Sequence, residues 1–325
     1  MGYKLAGFDV IGCNEIDPRM NAVYVENHHP RHNYLMDIRE FVKIAQSGDL
    51  PEELYNLDVL DGSPPCSSFS MAGAREDGWG KEKKFREGQA TQVLDTLFFD
   101  FIDLARALRP KIVIAENVKG LLLGEAKAYV AKIYESFDEA GYETTLTLCA
   151  GQQMGVPQKR ERVFFVAVRK DLSSQIPRSG LFSDVCIDLD FDEKEIVWGD
   201  VMIEGDCDRE LDPGKLPLWD LRKEGDIDLS ACCERDGQNP NKYFNSKFLY
   251  KDKVANTVAA QDLCVLFDEK RLRSTTEIKL CSSWPLDYNF LDQKVEYICG
   301  MSVPPVMMAQ VASRVNEQWL KRINN

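Results

Sequence analysis

Apolar residues fall at positions 93, 94, 97, 98, 101, 102, 104, 105 and 108, the three-and-four spacing of a helix that lays one face on a sheet. An unbroken apolar run follows, Ile112-Val113-Ile114-Ala115, with Glu116 at its end. Short runs of this kind predict strands covered on both faces. A second helical stretch over residues 126–140 stops at Gly141, and residues 142–149 and 163–168 read as further strands. Upstream, residues 57–60 form a mostly apolar strand. Residues 2–7 read as the end of a helix with a glycine stop, and residues 8–13 as a strand with Glu15 just beyond it. Strand and helix in alternation predict an α/β, doubly wound sheet whose ligands gather at the carboxyl edge of the strands. From about residue 171 the alternation fades. Helical spacing returns over 304–320, with Val306, Met307, Val311, Ala312, Val315 and Trp319 on one face. The expected division is a large domain over 1–175, a smaller one over 176–285 and a returning segment over 286–325.

Candidate chemistry begins at residues 61–70, DGSPPCSSFS. Two prolines stiffen the turn after a strand and hold the Cys66 thiol at a defined place. A lone cysteine is most often a small buried hydrophobe, so the case rests on three further stretches in order. Glu116-Asn117-Val118 ends the apolar run, Gln158-Lys159-Arg160-Glu161-Arg162 precedes the strand at 163, and Gly300-Met301-Ser302-Val303-Pro304-Pro305 opens the last helical stretch. In this order and spacing they resemble the cytosine-5 DNA methyltransferase family, over nearly the whole chain.

The resemblance implies a Rossmann-like S-adenosylmethionine-dependent methyltransferase fold with a smaller target-recognition domain. The implied reaction moves a methyl group from S-adenosyl-L-methionine to carbon 5 of cytosine in duplex DNA, through a covalent Cys66 adduct on a flipped base. Carbon 5 is a poor nucleophile, and covalent catalysis divides that difficulty. Thiolate rather than thiol attacks, so Cys66 is the expected nucleophile. Glu116 would hydrogen-bond ring nitrogen 3 and the exocyclic amine, Arg162 would donate to the oxygen at carbon 2 and orient Glu116, and Arg160 would brace the site or meet phosphate. The catalytic set is then Cys66, Glu116, Arg160 and Arg162. Pro65, Asn117, Val118, Gln158 and Thr257 stand where the family meets its substrate, and Pro65 also faces the cofactor. The glycine-rich basic stretch over 71–92 would close over DNA. Arg271-x-x-Ser274-x-x-Glu277 resembles a motif that braces the recognition region.

For the cofactor, Glu15 at a strand end matches the acidic residue that accepts from ribose hydroxyls. Asp37 matches the one near the adenine amino group, with Ile16 and Ile38 beside them and Ser302 and Val303 contributed from the last motif. The family's Phe-x-Gly-x-Gly, which holds the methionine part, has no counterpart here. The expectation is therefore a fold incomplete at its N-terminus, from a late start or a truncation. Met301 also stands where the motif carries asparagine. Two alternatives stay open: a catalytically impaired or partner-dependent DNA-binding relic, and an RNA cytosine-5 methyltransferase with the same site.

Charge first argues against DNA, since phosphate neutralisation dominates affinity and the net charge is −13. Its distribution changes the picture: residues 184–236 hold 18 acidic and 6 basic residues, and the rest is nearly neutral. Basic clusters remain at Arg75, Lys81, Lys83, Lys84 and Arg86, and around Lys159–Lys170. The ten cysteines show no CxxC pair, which suggests reduced thiols and no zinc site. Cys232-Cys233 stand alone. His28, His29 and His32 are expected in an exposed turn. No apolar run reaches 18 residues and no export signal is visible, so a cytoplasmic monomer is expected, of the kind found in restriction–modification systems.

Overall fold

The apolar run at 112–115 sits where a chain is hardest to wet. Ile112, Val113, Ile114 and Ala115 are fully buried, as are residues 163–168 of the strand beside them. Around this pair the computed structural model describes residues 1–64, 96–124, 126–176, 178 and 185–324. Pro65, Cys66 and the basic stretch over 71–92 lie outside the described residues.

In chain order the elements are α1 (Gly2–Leu5), β1 (Gly12–Glu15), α2 (Pro18–His28), β2 (His32–Leu35), α3 (Ile38–Ser47) and β3 (Val59–Gly62). Then come α4 (Leu97–Leu108), β4 (Ile112–Val118), α5 (Ala126–Glu139), β5 (Tyr142–Ala150) and β6 (Glu161–Arg169). The remainder holds α6 (Leu216–Asp220), α7 (Leu229–Arg235), β7 (Phe248–Leu249), β8 (Val265–Leu266), α8 (Thr275–Cys281), α9 (Val295–Met301) and α10 (Pro305–Val315). These form two compact units. One comprises Asp9–Cys149, Glu161–Asp190 and Val311–Asn325; the other Met1–Phe8, Ala150–Arg160 and Phe191–Gln310. This division differs from the expected one in placing Met1–Phe8, Ala150–Arg160 and residues 286–310 with the unit that holds residues 191–285, and residues 176–190 with the other. Within the stretch 150–160, the buried side chains of Gln158 and Arg160 bond Val258, Cys281, Ser282, Gly300 and Ser302 of that same unit.

The larger unit is the α/β body. Its sheet runs β3-β4-β6-β5, with β3 and β4 parallel and β4 and β6 antiparallel. β1 and β2 form a separate parallel pair, Glu15 opposite Leu35. One face of the main sheet carries Phe98, Phe101 and Ile102 of α4 with Tyr129, Ile133 and Phe137 of α5. Phe98 meets Phe137 and Phe165 edge-on at 6.4 and 5.3 Å, a geometry that suits the ring quadrupoles. The expected glycine stop is present: Gly141 takes φ 89° before β5, a backbone that favours a residue without Cβ.

Two local expectations shift. β1 lies over Gly12–Glu15 rather than 8–13 because β2 offers backbone partners only from His32, whose N–H donates to the Ile11 carbonyl. Of the histidines only His29 is exposed, in the turn at the left-handed end of α2. His28 is buried at the end of α2 with its ring 4.6 Å from that of Tyr24, and His32 pairs with Glu53.

In the smaller unit, Leu211, Leu218, Trp219, Leu229, Cys232, Cys233, Phe248 and Val265 share one apolar cluster. Cys232 and Cys233 are thus core side chains. Beside it Arg271 bonds Glu277 at 2.8 Å and Arg273 bonds Asp262 at 2.6 Å, all four buried. Ser274 and Glu277 close a reciprocal cap at the start of α8. Buried charges persist only when paired in this way.

Candidate active site

Glu116 is held at the carboxyl half of β4 by the ladder that sets it opposite Phe164 of β6. Two places further on Val118 faces Arg162, which brings the guanidinium within reach: Arg162 Nε donates to Glu116 Oε1 at 2.8 Å. Both side chains are mostly buried. Burial pulls the guanidinium below its ordinary range, and the glutamate charge and hydrogen bond oppose that shift. The carboxylate is therefore oriented by a charge-assisted bond rather than left to rotate. A second pair reinforces the register: Lys119 Nζ bonds both Glu161 oxygens, at 2.7 and 2.9 Å, and Arg162 donates to the Glu161 carbonyl at 2.8 Å.

Asn117, between them and buried, donates from Nδ2 to the Pro64 carbonyl at 3.2 Å. Its Oδ1 accepts from the Val118 N–H at 2.9 Å. β4 is thereby tied to the residue two before Cys66, a link that sequence reading assigned to substrate instead. Val118 is half-buried at the last rung of the strand.

The acidic pair expected at the cofactor stands at the carboxyl ends of two neighbouring parallel strands. Glu15 Oε1 accepts from the Ile16 and Asp17 N–H groups at 2.7 and 2.8 Å. Burial nevertheless pushes the Glu15 carboxyl above its ordinary value, against those two bonds. Asp37 caps α3, accepting from the Arg39 N–H at 2.8 Å, while Ile38 packs into the apolar clusters beneath. Asn14 fastens the two strand ends by donating to the carbonyls of Tyr34 and Met36, both at 2.9 Å. Sequence reading passed over Asn14, whose only signal was its place beside Glu15. Glu15 Oε2 takes no hydrogen bond among the described residues, so an acceptor fit for a vicinal diol is present. The residues fit the adenosine part of S-adenosylmethionine.

The other expected residues belong to the smaller unit. Gln158 is wholly buried; its Nε2 donates to the Cys281 carbonyl at 2.8 Å and its Oε1 accepts from the Val258 N–H at 2.9 Å. Arg160 is 1% exposed and donates to the carbonyls of Val258 (3.1 Å), Gly300 (2.9 Å) and Ser302 (2.6 Å). Its guanidinium is thus buried on backbone oxygens, which agrees with the bracing part of what was expected of it. Thr257 is exposed, its hydroxyl donating to the Lys159 carbonyl. Ser302 Oγ donates to the Ile298 carbonyl at 2.6 Å, and Val303 is half-buried. Met301 is 45% exposed.

A C-5 cytosine-specific DNA methylase model matches residues 1–317. The chain belongs to that family. Among named members, the type II methyltransferase M.NgoPII of Neisseria gonorrhoeae is 37% identical over 175 residues, 53% of this chain and 45% of that protein. M.FnuDI of Fusobacterium nucleatum is 36% identical over 176 residues, 53% of this chain and 44% of that one. The chain spans less than half the length of these two relatives. M1.HphI of Haemophilus parahaemolyticus matches over 97% of the chain and 82% of its own length at 24% identity. In structure, a DNA modification methyltransferase encoded within an E. coli prophage superposes with a TM-score of 0.64 and 18% identity, covering 98% of this chain and 94% of that one. The S. pombe Dnmt2 methyltransferase gives 0.58 and 15%, covering 97% and 93%. These likenesses identify the fold as the Rossmann-like methyltransferase fold.

Proposed function

We propose that the protein transfers a methyl group from S-adenosyl-L-methionine to carbon 5 of a cytosine in double-stranded DNA. The observation that carries this is the Arg162–Glu116 pair at the carboxyl end of β4, with Asn117 of the same strand bonded to the Pro64 carbonyl ahead of Cys66. An oriented, mostly buried carboxylate hydrogen-bonds the N3 and amine edge of a cytosine and steadies charge that develops on the ring. Arg162 holds that carboxylate and offers its remaining N–H groups to the oxygen at carbon 2. The Cys66 thiolate adds to carbon 6, which makes carbon 5 nucleophilic; loss of the carbon-5 proton and elimination then release the enzyme. Bound by Glu15 and Asp37, the cofactor would supply the electrophilic methyl group. The base leaves the stack first, because a duplex shields both ring faces. DNA is the partner, and the protein acts as a monomer in the cytoplasm.

Among the described residues no helix is long and apolar enough to cross a membrane. The test is Cys66→Ser. Turnover should fall by at least about 10⁴-fold, with DNA affinity unchanged in a mobility-shift titration. Wild-type methyl transfer by this variant would remove the mechanism, and transfer to RNA alone would reassign the substrate.

A further inference from the structure

A cation in the first turn of a helix works against the helix dipole, which favours anions there. Arg39 is such a residue. It stands two places after Asp37, the cap of α3, and its side chain also reaches the start of α4. Its Nε donates to Asp100 Oδ2 at 3.0 Å and its Nη2 to Thr96 Oγ1 at 3.2 Å. Thr96 is the cap of α4, yet its hydroxyl makes no capping bond to its own helix. That forgoes stability which a capping threonine usually supplies. Two helix starts are thus arranged around one cation that neither dipole favours.

The geometry of Asp37 gives the arrangement a purpose. Asp37 Oδ1 accepts from the Arg39 N–H at 2.8 Å, and Arg39 Nη1 stands 3.8 Å from Oδ2. Backbone and side chain of one residue therefore flank the two oxygens of one carboxylate. The second approach is an ion pair beyond hydrogen-bond length. Because α4 holds the guanidinium from the other side, the cation is a fixed point towards which Asp37 turns. Asp100 shares this field: burial pushes its carboxyl above the ordinary value, Arg39 opposes the shift, and Asp103 and Asp37 add to it. Beneath the charges, Phe41, Val42 and Ala45 of α3 and Leu104 and Leu108 of α4 belong to one apolar cluster. Anchor and carboxylate are thereby held in one frame.

We propose that Arg39 is a positioning residue for recognition of the cofactor's adenine. Clamped by Thr96 and Asp100, it aims the Asp37 carboxylate at the 6-amino group, so that the site selects an adenosyl cofactor over one without that amine. The inference rests on the reading of Asp37 as the acceptor of that amine. An amine donates and an ionised carboxylate only accepts, so the preference depends on the aim of a single acceptor.

The test is calorimetry on the full 325-residue chain with two ligands, S-adenosylhomocysteine and its analogue carrying hydrogen in place of the 6-amino group. Wild type should bind the first about 10- to 100-fold more tightly, the worth of a charged hydrogen bond. Arg39→Met and Arg39→Gln should bring the two affinities within about threefold of each other by weakening the adenosyl ligand. Arg39→Lys keeps the charge without the fork and should give an intermediate ratio. Equal weakening of both ligands, or a wild-type ratio in Arg39→Met, overturns the inference and leaves Arg39 a link between two helices. A ratio in Arg39→Lys no better than in Arg39→Met overturns the part played by charge. Loss of the near-ultraviolet circular dichroism in both neutral variants assigns Arg39 to folding alone and overturns it as well. If only one of them folds, its ratio decides. Wild type that binds both ligands equally overturns Asp37 as the amine acceptor, and the inference with it. Wild type that binds neither overturns the cofactor site itself. No arm uses methyl transfer, so the outcome is independent of the reaction at Cys66.

Discussion

At the scale of single residues, Glu15 carries a conflict that can be measured. Its ionised form is the stronger acceptor and offers both oxygens to a ribose, yet burial raises its pKa. A carboxyl whose folded pKa exceeds its unfolded value contributes stability that is complete below the unfolded pKa and is lost as pH rises through the folded one. Glu15→Gln keeps the acceptor for the Ile16 and Asp17 amides and removes the ionisation. Its Tm should exceed that of the wild type near pH 8, with the gain shrinking towards zero below about pH 4. Calorimetric affinity for S-adenosylmethionine should fall about 10- to 100-fold, the worth of charged hydrogen bonds. As pH falls, wild-type cofactor affinity should begin to weaken while the pH is still above the ordinary glutamate range, because Glu15 protonates early. Glu116 was readable from its place after an apolar run; its orientation by Arg162, 46 positions later, depends on the β4–β6 register.

At the scale of elements, α9 shows why a motif glycine is needed. A Cβ on Gly300 would lie 2.3 Å from the carbonyl carbon of Ala259 and the nitrogen of Ala260. Both are backbone atoms and cannot swing aside as a side-chain tip would. Gly300→Ala should therefore lower stability by about 1–3 kcal/mol, read as a lower urea midpoint and faster exchange at the Val258 amide. An unchanged midpoint would show that the segment over 259–260 yields. The helix of residues 97–108 and the strands β4 and β6 were legible because their periodicity is local and their burial nearly complete. The limits of β1 were not, because a ladder begins where its neighbour begins.

At the scale of the whole molecule, charge is segregated. The net −13 resides almost entirely in residues 184–236, which leaves phosphate contact to local basic clusters. Replacing Lys81, Lys83 and Lys84 together by glutamine should reduce the slope of log affinity against log salt by up to about 3, roughly 0.9 per lost phosphate contact. Fluorescence anisotropy with a labelled duplex from about 50 to 200 mM salt reads this. An unchanged slope would place the phosphate contacts elsewhere. At the same scale, among the described residues, β1–β2 and β3–β4–β6–β5 form separate ladders.

The sequence by itself determined the fold class, the order of the motifs and the residue types of the chemistry, since strand ends, glycine stops and the Glu-Asn-Val and Gln-x-Arg-x-Arg stretches are local facts. The resemblance implies that Arg162 orients the glutamate; only tertiary structure supplies the physical reason why two arginines two residues apart take different partners. In β6, Arg162 falls within reach of Glu116, whereas Arg160, ahead of the strand, is drawn to carbonyls 98, 140 and 142 positions away. Spacing along a chain sets the face a side chain takes; the partner on that face is set by folding.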